Sequence, residues 1–166
     1  TPPTIARTFN DAGYRTAAFV GAYVLNRRFG LDEGFDVYDD AVRRDMGRAE
    51  QLEAERPGGE VVDAALRWLQ AAEQPFFMWV HLYDPHAPYA PPADYLRRAN
   101  GSAYDGEVAY ADAQVSRLVE ALRSHGLLNS TVVAVTGDHG ESLGEHGEST
   151  HGMLAYDATL RVPLVI

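Results

Sequence analysis

The chain has 166 residues, 46% of them apolar, which suits one globular domain with a sizeable core. It contains no cysteine, so a disulfide framework, a thiol nucleophile and a thiolate metal site are all excluded within these residues. Its net charge of -10, from 14 Lys plus Arg against 24 Asp plus Glu, disfavours nucleic acid and anionic lipid as partners, and an anionic substrate would need a local positive field from a metal, histidines or arginines. No apolar run approaches the roughly 18 residues of a membrane span, and no charged-then-apolar signal is present. The chain begins without methionine and stops inside the apolar run Val162 to Ile166, which points to a fragment of a longer protein.

Thr1 to Gly13 reads as a short helix. Thr1 is a candidate N-cap, Pro2 and Pro3 suit a first turn, Ile5 and Phe9 fall at i and i+4, and Gly13 suits the carboxyl end. Thr16 to Ala22 reads as a buried strand, completing a helix-to-strand unit. Leu25 to Asp40 contains FGLDEGFDVYDD, read as an irregular surface loop or small hairpin. Its acids lack the spacing of an EF-hand, which favours solvated loop acids over calcium ligands. Arg43 to Gly59 is charged, ends in Pro57-Gly58-Gly59, and is the best candidate for a mobile connection. From Glu60 to Ala72 the apolar residues follow helical spacing, with Glu60 and Asp63 near the positive helix start, and Pro75 ends the helix.

Phe76 to Leu82 is a nearly continuous apolar run, the pattern of a central strand. His81 within it reads as a hydrogen-bonded core histidine rather than a ligand. The loop that follows, Tyr83 to Pro92, is stiffened by four prolines and carries His86 as its candidate functional residue. Asp105 to Arg123 is the clearest helix, with Val108, Ala111, Val115, Leu118, Val119 and Leu122 on one face.

Thr131 to Thr136 is a β-branched apolar run that predicts a fully buried strand in the middle of a sheet. Gly137, Asp138, His139, Gly140 and Glu141 follow at its carboxyl end, where open α/β sheets place their ligands. Adjacent residues of an extended chain point to opposite faces, and the flanking glycines permit the turn that would aim Asp138 and His139 at one ion. The pair suits several divalent cations and does not choose among them. The competing reading is a polar loop with Asp138 as the N-cap of a following helix. His146 and His151 come next, with Glu145 and Glu148 between. Tyr156 and Asp157 fall in a helical turn, and Arg161 to Ile166 begins a fourth strand. Strands alternating with helices predict an α/β fold, three-layer α/β/α with a mostly parallel central sheet, in a single partial domain spanning 1–166.

Four stretches together carry a family resemblance: AGYRTAAFVG (Ala12 to Gly21), HLYDPHAPYAPP (His81 to Pro92), TGDHGESLGEHG (Thr136 to Gly147) and YDATLRVPLVI (Tyr156 to Ile166). In this order they resemble the middle of a sulfatase, within the alkaline-phosphatase-like superfamily of metal-dependent sulfate and phosphate ester hydrolases. The resemblance implies that Asp138 and His139 are two ligands of the catalytic divalent cation, with Ca2+ the favoured ion and Mn2+ or Zn2+ the alternatives. It implies that His86 contacts the ester group and helps protonate the leaving oxygen. His151 falls near the position where many sulfatases carry a lysine that binds the sulfate, and a histidine there puts the substrate group in question. Family members also carry, upstream, a pair of metal-binding aspartates and a Cys or Ser followed by Pro and Arg, the precursor of the formylglycine nucleophile. No such motif occurs in the 166 residues, so it is expected upstream, and this stretch alone is expected to be inactive.

The implied function is hydrolysis of a small-molecule or glycan sulfate ester. The alternatives are a phosphonate or phosphate ester hydrolase of the same superfamily and a non-catalytic remnant that binds an ion or a partner. The resemblance is compatible with a periplasmic or secreted enzyme, although the sequence carries no signal that fixes a compartment.

Overall fold

A computed structural model describes residues 2–42 and 54–166. The chain forms two compact units, Thr1–Ala121 and Leu122–Ile166. In the first, helix α1 (Ile5–Asp11) starts later than the apolar spacing predicts. Thr4 is its N-cap, with Oγ1 accepting from Arg7 N at 3.0 Å, so the two prolines precede the helix instead of opening it.

Strand β1 (Arg15–Val20) is flanked by β2 (Val37–Asp39) and β3 (Phe76–His81), and both pairings are parallel, in the order β2-β1-β3. The alternation of side chains along β1 divides the core into two layers. Ala17 and Phe19 point to one face and pack with Val61, Ala64 and Ala65 of helix α2 (Gly58–Ala71). Ala18 and Val20 point to the other, against Tyr38, Phe35 and Trp79. On that same face Phe9 of α1 stacks on Phe77 at 4.7 Å. Helices therefore cover both faces of a parallel sheet, as the alternating pattern predicts. Val20, Val61 and Val62 are fully buried, each contributing about 2 kcal/mol by removal from water.

Several expectations are corrected. The Leu25 to Asp40 stretch is neither a plain loop nor a hairpin. It makes two 3-10 turns (Tyr23–Leu25 and Arg27–Phe29) and then β2, which adds to the sheet in parallel. Its acids are also not simply solvated. Asp40 is buried and accepts from Asn26 Nδ2 (2.6 Å) and Arg27 N (3.1 Å), while Asp36 accepts from Thr16 N (2.9 Å) and Asn10 Nδ2 (2.9 Å). These carboxylates fasten a turn to the sheet. Strand β3 lies at the edge of the described sheet and is half-buried throughout, with no further strand paired to it among the described residues. His81 stands at its end, half-buried, with its ring 6.2 Å from that of Trp79.

Of the stretch read as a mobile connection, residues 43–53 lie outside the described residues. Beyond them Arg56 N donates to Gly21 O (2.7 Å), and the buried Arg56 guanidinium binds Asp39 (3.0 Å) and the Glu60 carbonyl (3.0 Å). Helices α3 (Ala93–Arg98) and α4 (Ala103–Ser124) follow β3. No helix among the described residues is long and apolar enough to cross a membrane.

In the second unit the predicted central strand is reduced to β4 (Val135–Thr136). It pairs antiparallel with β5 (Leu164–Val165), and Val132 is 83% exposed. A 3-10 turn at Leu128–Ser130 occupies its approach. The fourth strand is therefore antiparallel. A run of valines specifies an extended backbone but not its partner, and here pairing with β5 sets the direction. Helix α5 (Asp157–Leu160) forms one turn between the two strands.

Candidate active site

Both units carry predicted site residues on loops that follow strands. In the first, β3 delivers the loop 82–92. Asp84 Oδ2 accepts from Gly58 N (3.0 Å) and Tyr110 Oη accepts from Gly59 N (2.8 Å), so the loop and α4 together satisfy two of the orphan donors at the start of α2. Burial raises the Asp84 carboxyl above its ordinary range, and the Gly58 bond only partly offsets this. A Cβ on Gly21, at the end of β1, would stand 3.2 Å from each of Arg56 O, His81 O and Tyr83 N, so glycine permits the close approach of β1 to the root of this loop.

His86 is held on three sides. Its ring stacks on Tyr83 at 4.1 Å, with Tyr83 Oη 3.1 Å from Nε2. Its Nδ1 lies 2.6 Å from the Ala87 carbonyl oxygen. A carbonyl only accepts, so Nδ1 carries a proton, and in the neutral ring Nε2 accepts from Tyr83 Oη. Its backbone N–H donates to Glu107 Oε2 (3.0 Å), whose other oxygen accepts from Ala90 N (2.6 Å). Burial raises the Glu107 carboxyl as well; the two backbone bonds lower it, and the nearby Asp84 charge raises it further.

In the second unit the turn after β4 brings adjacent side chains together. His139 N donates to Asp138 Oδ1 (3.0 Å), and His139 Nε2 stands 3.7 Å from the same oxygen. No helix begins at Asp138, the next helical turn being Glu145–Gly147, so the N-cap reading is set aside. His139 Nδ1 donates to the Gly140 carbonyl (2.8 Å), which fixes the tautomer and leaves an Nε2 lone pair beside a carboxylate that is 82% exposed. A carboxylate oxygen and a neutral imidazole nitrogen presented together fit a divalent cation. Among the described residues no group of three or more His, Asp and Glu side chains is assembled as a cage, so this pair could supply only part of a ligand set.

His151 joins this turn from ten residues after Glu141. Its ring lies 3.9 Å from that of His139, and its Nδ1 donates to both oxygens of Glu141, at 3.1 and 3.3 Å. Glu141 is nearly buried and holds the imidazole with its Nε2 directed away from the carboxylate. His146 stacks instead on Tyr156, at 3.8 Å. A cavity of about 350 Å³, lined by Arg15, Trp68, Ala71, Ala72 and Glu73, opens at the amino-terminal end of β1, the end opposite to the loop of His86.

Sequence reasoning missed three residues. Glu141 was overlooked beside the more conspicuous Asp138 and His139, and Tyr83 because a tyrosine in a proline-rich loop signals nothing by itself. Glu107 left a trace: with Ala111, Gln114, Leu118 and Leu122 it continues a helical stripe, and a carboxylate in such a stripe needs a buried partner.

Solved structures define the class to which this fold belongs. A protein in complex with its substrate D-glucosamine-2-N,6-O-disulfate aligns with a TM-score of 0.73 at 16% identity, covering 98% of this chain and 54% of that one. The phosphonate monoester hydrolase of Agrobacterium radiobacter aligns equally well, at 0.73 and 16%, covering 97% and 51%. At these identities the likeness is one of fold. In sequence, human iduronate 2-sulfatase is 46% identical over 79 residues, which is 47% of this chain and 14% of that protein. The chain belongs to the sulfatase family, whose model matches residues 1–166. It spans from about a seventh to about half of the length of these relatives.

Proposed function

We propose that residues 1–166 form part of one catalytic domain whose full-length protein hydrolyses sulfate esters. The observation that carries this reading is the convergence of Asp138, His139 and the Glu141-bound His151 on one turn of a chain matched throughout by the sulfatase family. Asp138 and His139 would hold a divalent cation; the pair itself suits several, and the family resemblance favours Ca2+, with Mn2+ or Zn2+ the alternatives. Bound by these residues, an ion would supply Lewis-acid polarisation of a nonbridging oxygen of the ester.

The remaining roles belong to the chain's own side chains. His86 presents Nε2 to the leaving oxygen and, in its doubly protonated form, would pass it the Nε2 proton while Nδ1 keeps its own. Tyr83 keeps the ring planar to its own and fixes its tilt, and the Ala87 carbonyl keeps Nδ1 out of the reaction. His151, oriented by Glu141, would in its doubly protonated form donate Nε2–H to the anionic group of the substrate, the part that the family resemblance gives to a lysine in many sulfatases. A small-molecule or glycan sulfate ester is the substrate class. The iduronate 2-sulfatase similarity and the disulfated glucosamine bound by a structural neighbour both support a sulfated sugar. A phosphonate monoester is the second reading, favoured by the equal fold likeness to such a hydrolase.

Turnover of matched aryl sulfate and aryl phosphonate esters by the full-length protein tests the choice. Faster sulfate hydrolysis is expected, and a preference for the phosphonate refutes it. His86→Ala should slow esters with poor leaving groups far more than activated aryl esters, and equal losses would reduce His86 to a binding role.

A further inference from the structure

We propose that Glu107 is the positioning residue of the His86 loop, the carboxylate that sets where the imidazole stands when it meets the leaving oxygen. The inference rests on the reading of His86 given above. Glu107 is 5% exposed, and a carboxylate is kept in such a place only when its oxygens are hydrogen-bonded. Each oxygen takes a different main-chain donor, His86 N at 3.0 Å and Ala90 N at 2.6 Å. Residues 84–92 include four prolines, which leaves five backbone N–H groups, and Glu107 engages two of them.

The two donors bracket Ala87 to Tyr89, the segment whose first carbonyl holds His86 Nδ1. Restraint therefore passes from the helix to the loop backbone, from the backbone to the Ala87 carbonyl, and from that carbonyl to the ring. The same helix abuts the far end of the loop. A Cβ on Gly106 would stand 2.8 Å from Pro91 Cγ, so α4 and the loop meet without space for adjustment. A charged acceptor shared by two amides is stronger than a neutral one, and a loop fixed from a helix positions its histidine more tightly than the loop's own contacts would. Burial of the Glu107 carboxyl, which raises it from its ordinary range, is the cost of this arrangement.

The test compares wild-type full-length protein with Glu107→Gln, His86→Ala and the double variant, on aryl sulfates with poor and with activated leaving groups. Glutamine keeps the shape but turns an amide NH2 toward one of the two donors. Glu107→Gln should lower kcat on the poor leaving group by about tenfold or more, leave KM near wild type, spare the activated ester, and add nothing in the His86→Ala background. Equal losses on both esters, or no loss, alongside a selective loss in His86→Ala, would overturn the inference and leave the reading of His86 intact. Equal losses in His86→Ala would overturn that reading instead. The positioning role would fall with it, leaving the clamp of the loop backbone to be decided by amide hydrogen exchange in the wild type, a measurement that also decides the clamp if Glu107→Gln does not fold. Strong protection of the His86 and Ala90 amides supports the clamp, and rapid exchange of both removes it.

Discussion

Gly140→Ala is the substitution whose cost can be worked most fully from the geometry. Gly140 does not sit in the left-handed region, so alanine meets no backbone penalty there and the effect is one of space. An added Cβ would lie 2.1 Å from the Ala158 carbonyl oxygen, 2.8 Å from that of Arg161 and 3.1 Å from the Ala158 carbonyl carbon. All three are main-chain atoms that cannot swing aside. Relief requires the α5 turn and the Asp138–His139 turn to part by about 1 Å, which stretches the 2.8 Å bond from Gly140 N to Thr159 O beyond use. Loss of that bond costs about 1 kcal/mol and the overpacking about 1 to 3, for a total of about 2 to 4 kcal/mol. In a domain of about 150–250 residues that cost would lower the melting temperature by roughly 4 to 16 °C, and in the larger domain of the full-length protein the fall should be a few degrees. His139 Nδ1 is held by the Gly140 carbonyl, so the rise in Tm produced by excess divalent cation should shrink as well. Calorimetry of the full-length protein with and without added Ca2+ reads both effects. An unchanged Tm would refute the packing argument, and a full metal-induced rise would separate Gly140 from the ion site.

Asp36→Ala should destabilise the protein by about 1 to 2 kcal/mol near neutral pH, because Asp36 accepts from Thr16 N and Asn10 Nδ2. Those bonds, the Thr16 amide first, hold its carboxyl below the ordinary value, so the stabilisation is present above the unfolded-state pKa and is lost as pH falls through the folded one. Urea midpoints should therefore converge in acid, and a deficit that persists there would contradict the assignment. Asp84→Asn should behave in the opposite sense. Burial raises the Asp84 carboxyl, so its ionisation costs stability above the folded pKa and the cost vanishes as pH falls. The asparagine variant should compare more favourably with wild type at about pH 8 than at about pH 4, and a pH-independent difference would count against it.

The sheet and helices of the first unit were largely legible because their signals are local. β1 and β3 are apolar runs of strand length, and α2 and α4 show clean helical spacing. What could not be read was set by partners distant in sequence. Asp36 looks like any loop acid until Thr16 and Asn10 are beside it, and Val135 belongs to an antiparallel pair because Val165 lies across from it. The site shows the same division. The Asp138–His139 pair and His86 stand out as residue types in glycine-rich or proline-rich loops. Glu107 and Glu141 do not, because their importance lies in the amides and imidazole they hold, 21 and 10 residues away.

Metal content and turnover measured together on the full-length protein test the central claim most directly. Wild-type protein should retain a bound divalent cation through desalting and hydrolyse an aryl sulfate in a chelator-sensitive manner. Asp138→Ala should lose both the ion and the activity while keeping its fold by circular dichroism. An Asp138→Ala protein that retains the ion and turns over like wild type would contradict the account.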